Sequence, residues 1–68
     1  MKDYIERMEQ EKAELDIKLI ALLDFIGGVK FSSLDAIQQG NLKVQRDIMS
    51  AYSSILLARI EYEMSRNN

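Results

Sequence analysis

Gly28-Val29-Lys30-Phe31-Ser32 places a glycine that lets another backbone approach closely, a cation, an aromatic ring and a hydroxyl within five residues. A small phosphate-bearing ligand needs about that set. The same residues admit a plainer reading, in which Phe31 docks as an apolar plug and Lys30 is ordinary surface. A second constellation recurs every seven residues: Gln45, Tyr52 and Arg59. If these polar groups are buried they require partners. Arg59 would pair with a first-helix acid such as Glu6 or Glu11 while Tyr52 packs its ring with its hydroxyl bonded, or the three would line a polar, aromatic ligand site at an interface. Catalysis is poorly served. The chain contains no His and no Cys, the serines have no evident base, and Glu9, Glu11, Glu14 and Asp16 fall on exposed helix positions as a solvated charged face. No enzyme activity, cofactor or metal site is expected.

The elements that must position these residues are two long helices. Pro is absent, and glycine occurs only at Gly27, Gly28 and Gly40, which favours uninterrupted helix over short strands and turns. Ile5, Met8, Leu15, Leu19, Leu22 and Ile26 recur at steps of three and four, with Lys12 the one polar interruption, as in a packed amphipathic helix. Asp3 with Glu6 resembles a capping box that starts the helix near Tyr4, and Gly27-Gly28 would end it through a left-handed residue. The first helix is therefore expected over about residues 4–26. Ala13, Ile17 and Ile20 point nearly opposite that stripe, and one partner helix cannot cover both sides.

A connector over residues 27–35 is short enough to return a second helix antiparallel to the first. Asp35 with Gln38 repeats the capping pattern, which places the second helix over about residues 36–66. Its seam is expected at Leu42, Gln45, Met49, Tyr52, Leu56 and Arg59, widened by Ile48, Ile55 and Ile60. Gly40 costs that helix about 1 kcal/mol against alanine unless a close backbone contact compensates, and Ala51, Ser54 and Ala58 form a small-residue face. The fold expected over residues 1–68 is one all-α domain, an antiparallel two-helix hairpin. With 68 residues and no cysteine, such a domain buries too little to stand comfortably alone. Assembly into a helical homo-oligomer follows.

A net charge of −2 and a pI near 5.0 supply no basic field for polymeric nucleic acid. The longest nearly apolar run, Leu19 to Val29, is broken by Asp24 and falls short of the roughly 20 residues of a membrane span. The polar amino terminus is unlike a signal peptide, so a cytoplasmic location is expected.

The pattern Phe31-x-x-Leu34-Asp35, then Gln39-x-x-Leu42-x-x-Gln45-x-x-x-Met49-x-x-Tyr52-x-x-Ile55-Leu56-x-x-Arg59-Ile60, stands beside Tyr4-x-x-Arg7-Met8 and Glu14-Leu15 in the first helix. Together these resemble the small phage proteins of the anti-CBASS nucleotide-sponge family and their many phage relatives, over nearly the whole chain. The resemblance implies a homohexamer of helical hairpins that acts in the host cytoplasm during infection. Such a hexamer sequesters cyclic oligonucleotide messengers of antiphage immunity without hydrolysing them. Family members hold cyclic dinucleotides between protomers, and some hold cyclic trinucleotides in separate pockets. By that resemblance Tyr4 supplies a stacking ring, with Arg7 nearby, and Lys30 a phosphate contact beside Phe31. Gly28, Ser32 and Arg59 become candidates for the second type of site. The competing expectation is a structural or adaptor oligomer whose helical surface binds another protein.

Overall fold

A computed structural model describes residues 2–66, the side chain of Lys2 excepted. Among them the fold is all-α: α1 (Lys2–Ile26), a short α2 (Val29–Ser32) and α3 (Ala36–Arg66). The molecule measures 50 × 15 × 13 Å. Polar contacts between α1 and α3 step down one helix as they step up the other, from Tyr4 with Arg59 to Glu11 with Tyr52. The two long helices therefore lie side by side with opposite polarity.

α1 buries or half-buries Ile5, Met8, Lys12, Leu15, Leu19, Leu22 and Ile26, a regular three-four alternation along one side, with Asp16 half-buried beside it. It begins at Lys2, so Asp3 sits inside the first turn, where its charge favours the helix dipole, and is not the cap that the Asp3/Glu6 pattern suggested. No glycine has a positive φ, which corrects the expected left-handed ending at Gly27-Gly28. The amide of Gly27 still bonds to the Leu23 carbonyl at 3.1 Å, and that of Gly28 to the Phe25 carbonyl at 3.0 Å. Gly28 is extended and leads directly into α2. A Cβ there would stand 3.3 Å from the Phe25 carbonyl oxygen, so close approach, not handedness, favours glycine.

Asp35 caps α3: its Oδ1 accepts from the Gln38 amide at 2.8 Å, satisfying one of the free donors of the first turn. The inner face of α3 is displaced by one residue from the expected seam. Gln39, Leu42, Arg46, Met49, Ser53, Leu56, Ile60 and Glu63 are the buried and half-buried positions. Leu42, Met49 and Leu56 belong to both phasings, but Gln45, Tyr52 and Arg59 fall on the exposed flank. That phasing leaves the Arg59 charge in water and seats small Ser53 at the contact instead. The apolar core is correspondingly small: among the described residues, only Met8, Phe31, Leu56 and Ile60 are buried apolar side chains.

Candidate functional site

At one end of the molecule the start of α1 meets the end of α3. Arg59 Nη2 donates a 2.6 Å hydrogen bond to the Tyr4 hydroxyl, and its guanidinium carbon lies 5.9 Å from the Tyr4 ring centroid. The expected ion pair of Arg59 with Glu6 or Glu11 is not formed, because the one-residue shift of the seam turns Arg59 toward the ring. Tyr4 remains partly open, so a planar group can reach the ring while Arg59 supplies positive charge beside it. Arg7 lies on the adjoining surface of α1 in a shallow, open depression shared with Asp3, Glu6 and Gln10. Two acids beside one arginine make that depression a poor anion site by itself.

Midway along the pair, Tyr52 donates to the Glu11 carboxylate, which meets the expectation that its hydroxyl is bonded. Buried Ser53 donates to Asp16 Oδ1 at 2.5 Å, and Lys12 Nζ approaches Asp16 Oδ2 at 2.7 Å. The lysine contact first, and the serine hydroxyl second, hold the Asp16 carboxyl below its ordinary range. These groups satisfy one another and position the helices.

The connector forms the other end. Phe31 is buried, edge-on to Phe25 with centroids 6.3 Å apart and ring planes at 90°. It is the plug of the plainer reading, and its ring is not open for stacking. Lys43 Nζ lies 5.8 Å from the Phe31 centroid. Gln39 Nε2 donates to the carbonyls of Phe31 at 3.0 Å and Leu34 at 2.9 Å, pinning the connector to the first turn of α3. Ser32 Oγ donates to the Val29 carbonyl at 2.6 Å, so the hydroxyl proton is committed inside α2. Lys30 is exposed, and no acid pairs with it among the described residues. Lys30 adjoins Phe31 in α2 and Lys43 lies over its ring from α3, so both lysines belong to this end, together with the Asp35 carboxylate that caps α3.

The Sequestin family model matches residues 2–62. The chain belongs to the Sequestin family. No curated protein and no solved structure matches it. The name of the family denotes sequestration, a binding role, and membership agrees with the resemblance to the phage sponge proteins carried by the α3 residues. No helix among the described residues is long and apolar enough to cross a membrane.

In this Sequestin chain the candidate residues form two groups and not one. Tyr4, Arg7 and Arg59 gather at one end; Gly28, Lys30, Phe31 and Ser32 gather at the other. From Tyr4 to Gly28 along α1 is roughly 36 Å at 1.5 Å per residue. Lys43 and Gln39 were not apparent as site residues, since neither stands at a local spacing from Phe31 that a helix rule would connect. The antiparallel pairing itself was the missing signal for Tyr4 with Arg59: seven residues down α1 match seven up α3.

Proposed function

We propose that this Sequestin protein sequesters cyclic dinucleotides, and cyclic trinucleotides in separate pockets, as a non-catalytic sponge for the messengers of bacterial antiphage immunity. Its working form is a homo-oligomer, a hexamer of single-domain helical hairpins in the host cytoplasm. The family match over residues 2–62 carries this reading. The partly open Tyr4 ring beside Arg59 supports it as a platform for a base and its phosphate, and the Lys30/Lys43 end supports it as a phosphate contact. Gly28 and Ser32 shape the connector there, and Phe31 holds it in place.

The oligomer is supported by what one protomer leaves in water. Ile17 and Ile20 are 69% and 65% exposed. Covering each contributes about 1.5 to 3 kcal/mol, a large share of the stability of so small a domain.

The test is calorimetric titration of the purified protein with a panel of cyclic di- and trinucleotides, followed by heat release and chromatography of the bound ligand. Saturable binding with intact ligand is expected. Flat traces across the panel favour the adaptor reading, and linear product accumulating with time and protein overturns the non-catalytic one.

A further inference from the structure

α2 is a single turn of four residues, too short to hold its own place. The bonds it makes to itself are local. Ser32 Oγ donates to the Val29 carbonyl at 2.6 Å, the Ser33 amide and Oγ to the Lys30 carbonyl at 3.2 and 2.7 Å, and the Leu34 amide to the Phe31 carbonyl at 3.1 Å. These bonds make residues 29–34 one compact unit, and the buried Phe31 ring anchors that unit at one point. A unit held at one point can still turn about it. Among the described residues, the hydrogen bonds that reach residues 29–34 from a long helix come from one side chain, Gln39, whose Nε2 donates to the carbonyls of Phe31 and Leu34 at 3.0 and 2.9 Å. We infer that Gln39 is a positioning residue for anion binding at the connector end: it fixes α2, and with it Lys30, relative to Lys43 of α3. The inference rests on the phosphate contact proposed above and adds the residue on which its geometry depends.

The chemistry of the side chain suits that task. A carboxamide nitrogen carries two hydrogens, and here each has its own carbonyl. Gln39 is half-buried, where leaving such groups unpaired costs more than it does at the surface. It also stands on a firm base. Its amide donates to the Asp35 carbonyl at 3.0 Å, and the Asp35 carboxylate caps the same turn through the Gln38 amide. Other side chains fail at this position: glutamate has no proton to donate at neutral pH, methionine has none at any pH, and asparagine is one methylene short of bridging both carbonyls.

Lys30 moves with α2, because it lies inside the turn and its own carbonyl is taken by Ser33. Lys43 belongs to α3 and lies over the Phe31 ring, 5.8 Å from its centroid. The separation of the two ammonium groups therefore follows the orientation of α2 on α3, which Gln39 sets. With the turn released, only a fraction of the molecules present both charges to one phosphate, and apparent affinity falls by that fraction. A released turn also lets Lys30 swing toward Asp35, the acid of this end, which competes with an anion for its charge.

A double-mutant cycle in the full chain tests this, read by calorimetry with the cyclic dinucleotide that the parent binds most tightly. Gln39→Met keeps the length of the side chain and removes both donors. It should weaken binding by roughly threefold or more, up to the roughly tenfold to hundredfold expected of Lys30→Ala. On the Lys30→Ala background the same substitution should change affinity by less than about twofold, since a residue that acts through Lys30 has nothing left to position. Losses that multiply show that Gln39 supports binding by another route, such as general stability, and overturn the inference. So does a Gln39→Met variant that binds like the parent while Lys30→Ala binds weakly. Gln39→Asn keeps an amide on the first turn of α3 and should behave as Gln39→Met does; it carries the cycle should the methionine variant not fold. Nuclear spin relaxation gives the direct readout. The backbone amides of residues 30–33 should lose order in either variant while those of α1 and α3 keep theirs, and unchanged order in α2 overturns the inference. Full affinity in Lys30→Ala removes the phosphate contact together with its positioning residue, and a parent that binds no cyclic dinucleotide overturns the sponge reading and this inference with it.

Discussion

Arg59 and Tyr4, from opposite ends of the chain, are joined by a 2.6 Å hydrogen bond in which the guanidinium donates to the phenol oxygen. The pair is exposed, so its worth to stability is small, about 0.5 to 1 kcal/mol for a cation over a ring in water. Its worth to a ligand is larger, because a nucleobase stacked on an aromatic ring contributes about 1 to 3 kcal/mol. Tyr4→Ala is expected to weaken cyclic nucleotide binding by roughly fivefold to a hundredfold with little change in melting temperature. Tyr4→Phe keeps the ring and should retain most of the affinity. Calorimetry and thermal denaturation on both variants check this, and equal losses for Tyr4→Phe and Tyr4→Ala would show that the hydroxyl, not the ring, matters.

Assembly should depend on the side of α1 that faces away from α3. Ile20→Asp puts a carboxylate where the protomer already exposes an isoleucine, so a lone folded chain would tolerate it. In an oligomer the charge meets a protein surface without a partner. The expected outcome in light scattering is loss of assembled mass, with circular dichroism showing reduced helicity as the protomers separate. Retained mass and helicity would remove Ile20 from any interface.

Ser53 and Asp16 predict a response to acid. The Lys12 contact first, and the Ser53 hydrogen bond second, depress the Asp16 carboxyl in the folded state. A depressed carboxyl stabilises the fold above its unfolded value, near pH 4, and that stabilisation is lost as pH falls through the lower folded value. Melting temperature should therefore fall as pH is lowered from 5 toward 3. Ser53→Ala removes one of the two bonds, so the Asp16 carboxyl measured by NMR should move up toward the ordinary range. An unmoved Asp16 would mean that Lys12 alone holds it.

How much of this was legible in the sequence differs between the two helices. The α1 stripe from Ile5 to Ile26 could be read directly because its apolar residues admit one phasing. α3 admits two, since Leu42, Met49 and Leu56 serve either, and the heptad spacing of Gln45, Tyr52 and Arg59 makes the shifted phase look regular. Only the facing helix decides, by offering Asp16 to Ser53 and Tyr4 to Arg59. The Asp35 cap was legible because it is local. The α2 turn was not: four residues carry too little periodicity. The Gln39 bonds to Phe31 and Leu34 depend on how the chain turns, which no spacing rule encodes.

The connector end gives the last prediction. Lys30 and Lys43 approach it from different elements and differ in what holds them. Lys30 is free of any acid among the described residues, whereas Lys43 lies over the Phe31 ring. If a phosphate binds there, Lys30→Ala removes a charge-assisted hydrogen bond of about 1.5 to 3 kcal/mol, roughly tenfold to a hundredfold in affinity, and leaves the melting temperature unchanged. Lys43→Ala should lower affinity too, but it also uncovers Phe31 and should lower the melting temperature slightly. Raising the salt concentration should weaken the parent more than the Lys30→Ala variant, because one of the screened contacts is already lost. Titration of both variants at two ionic strengths checks the pattern. Should Lys30→Ala bind every cyclic nucleotide as tightly as the parent at both, the phosphate contact lies along the helices, beginning with Tyr4 and Arg7.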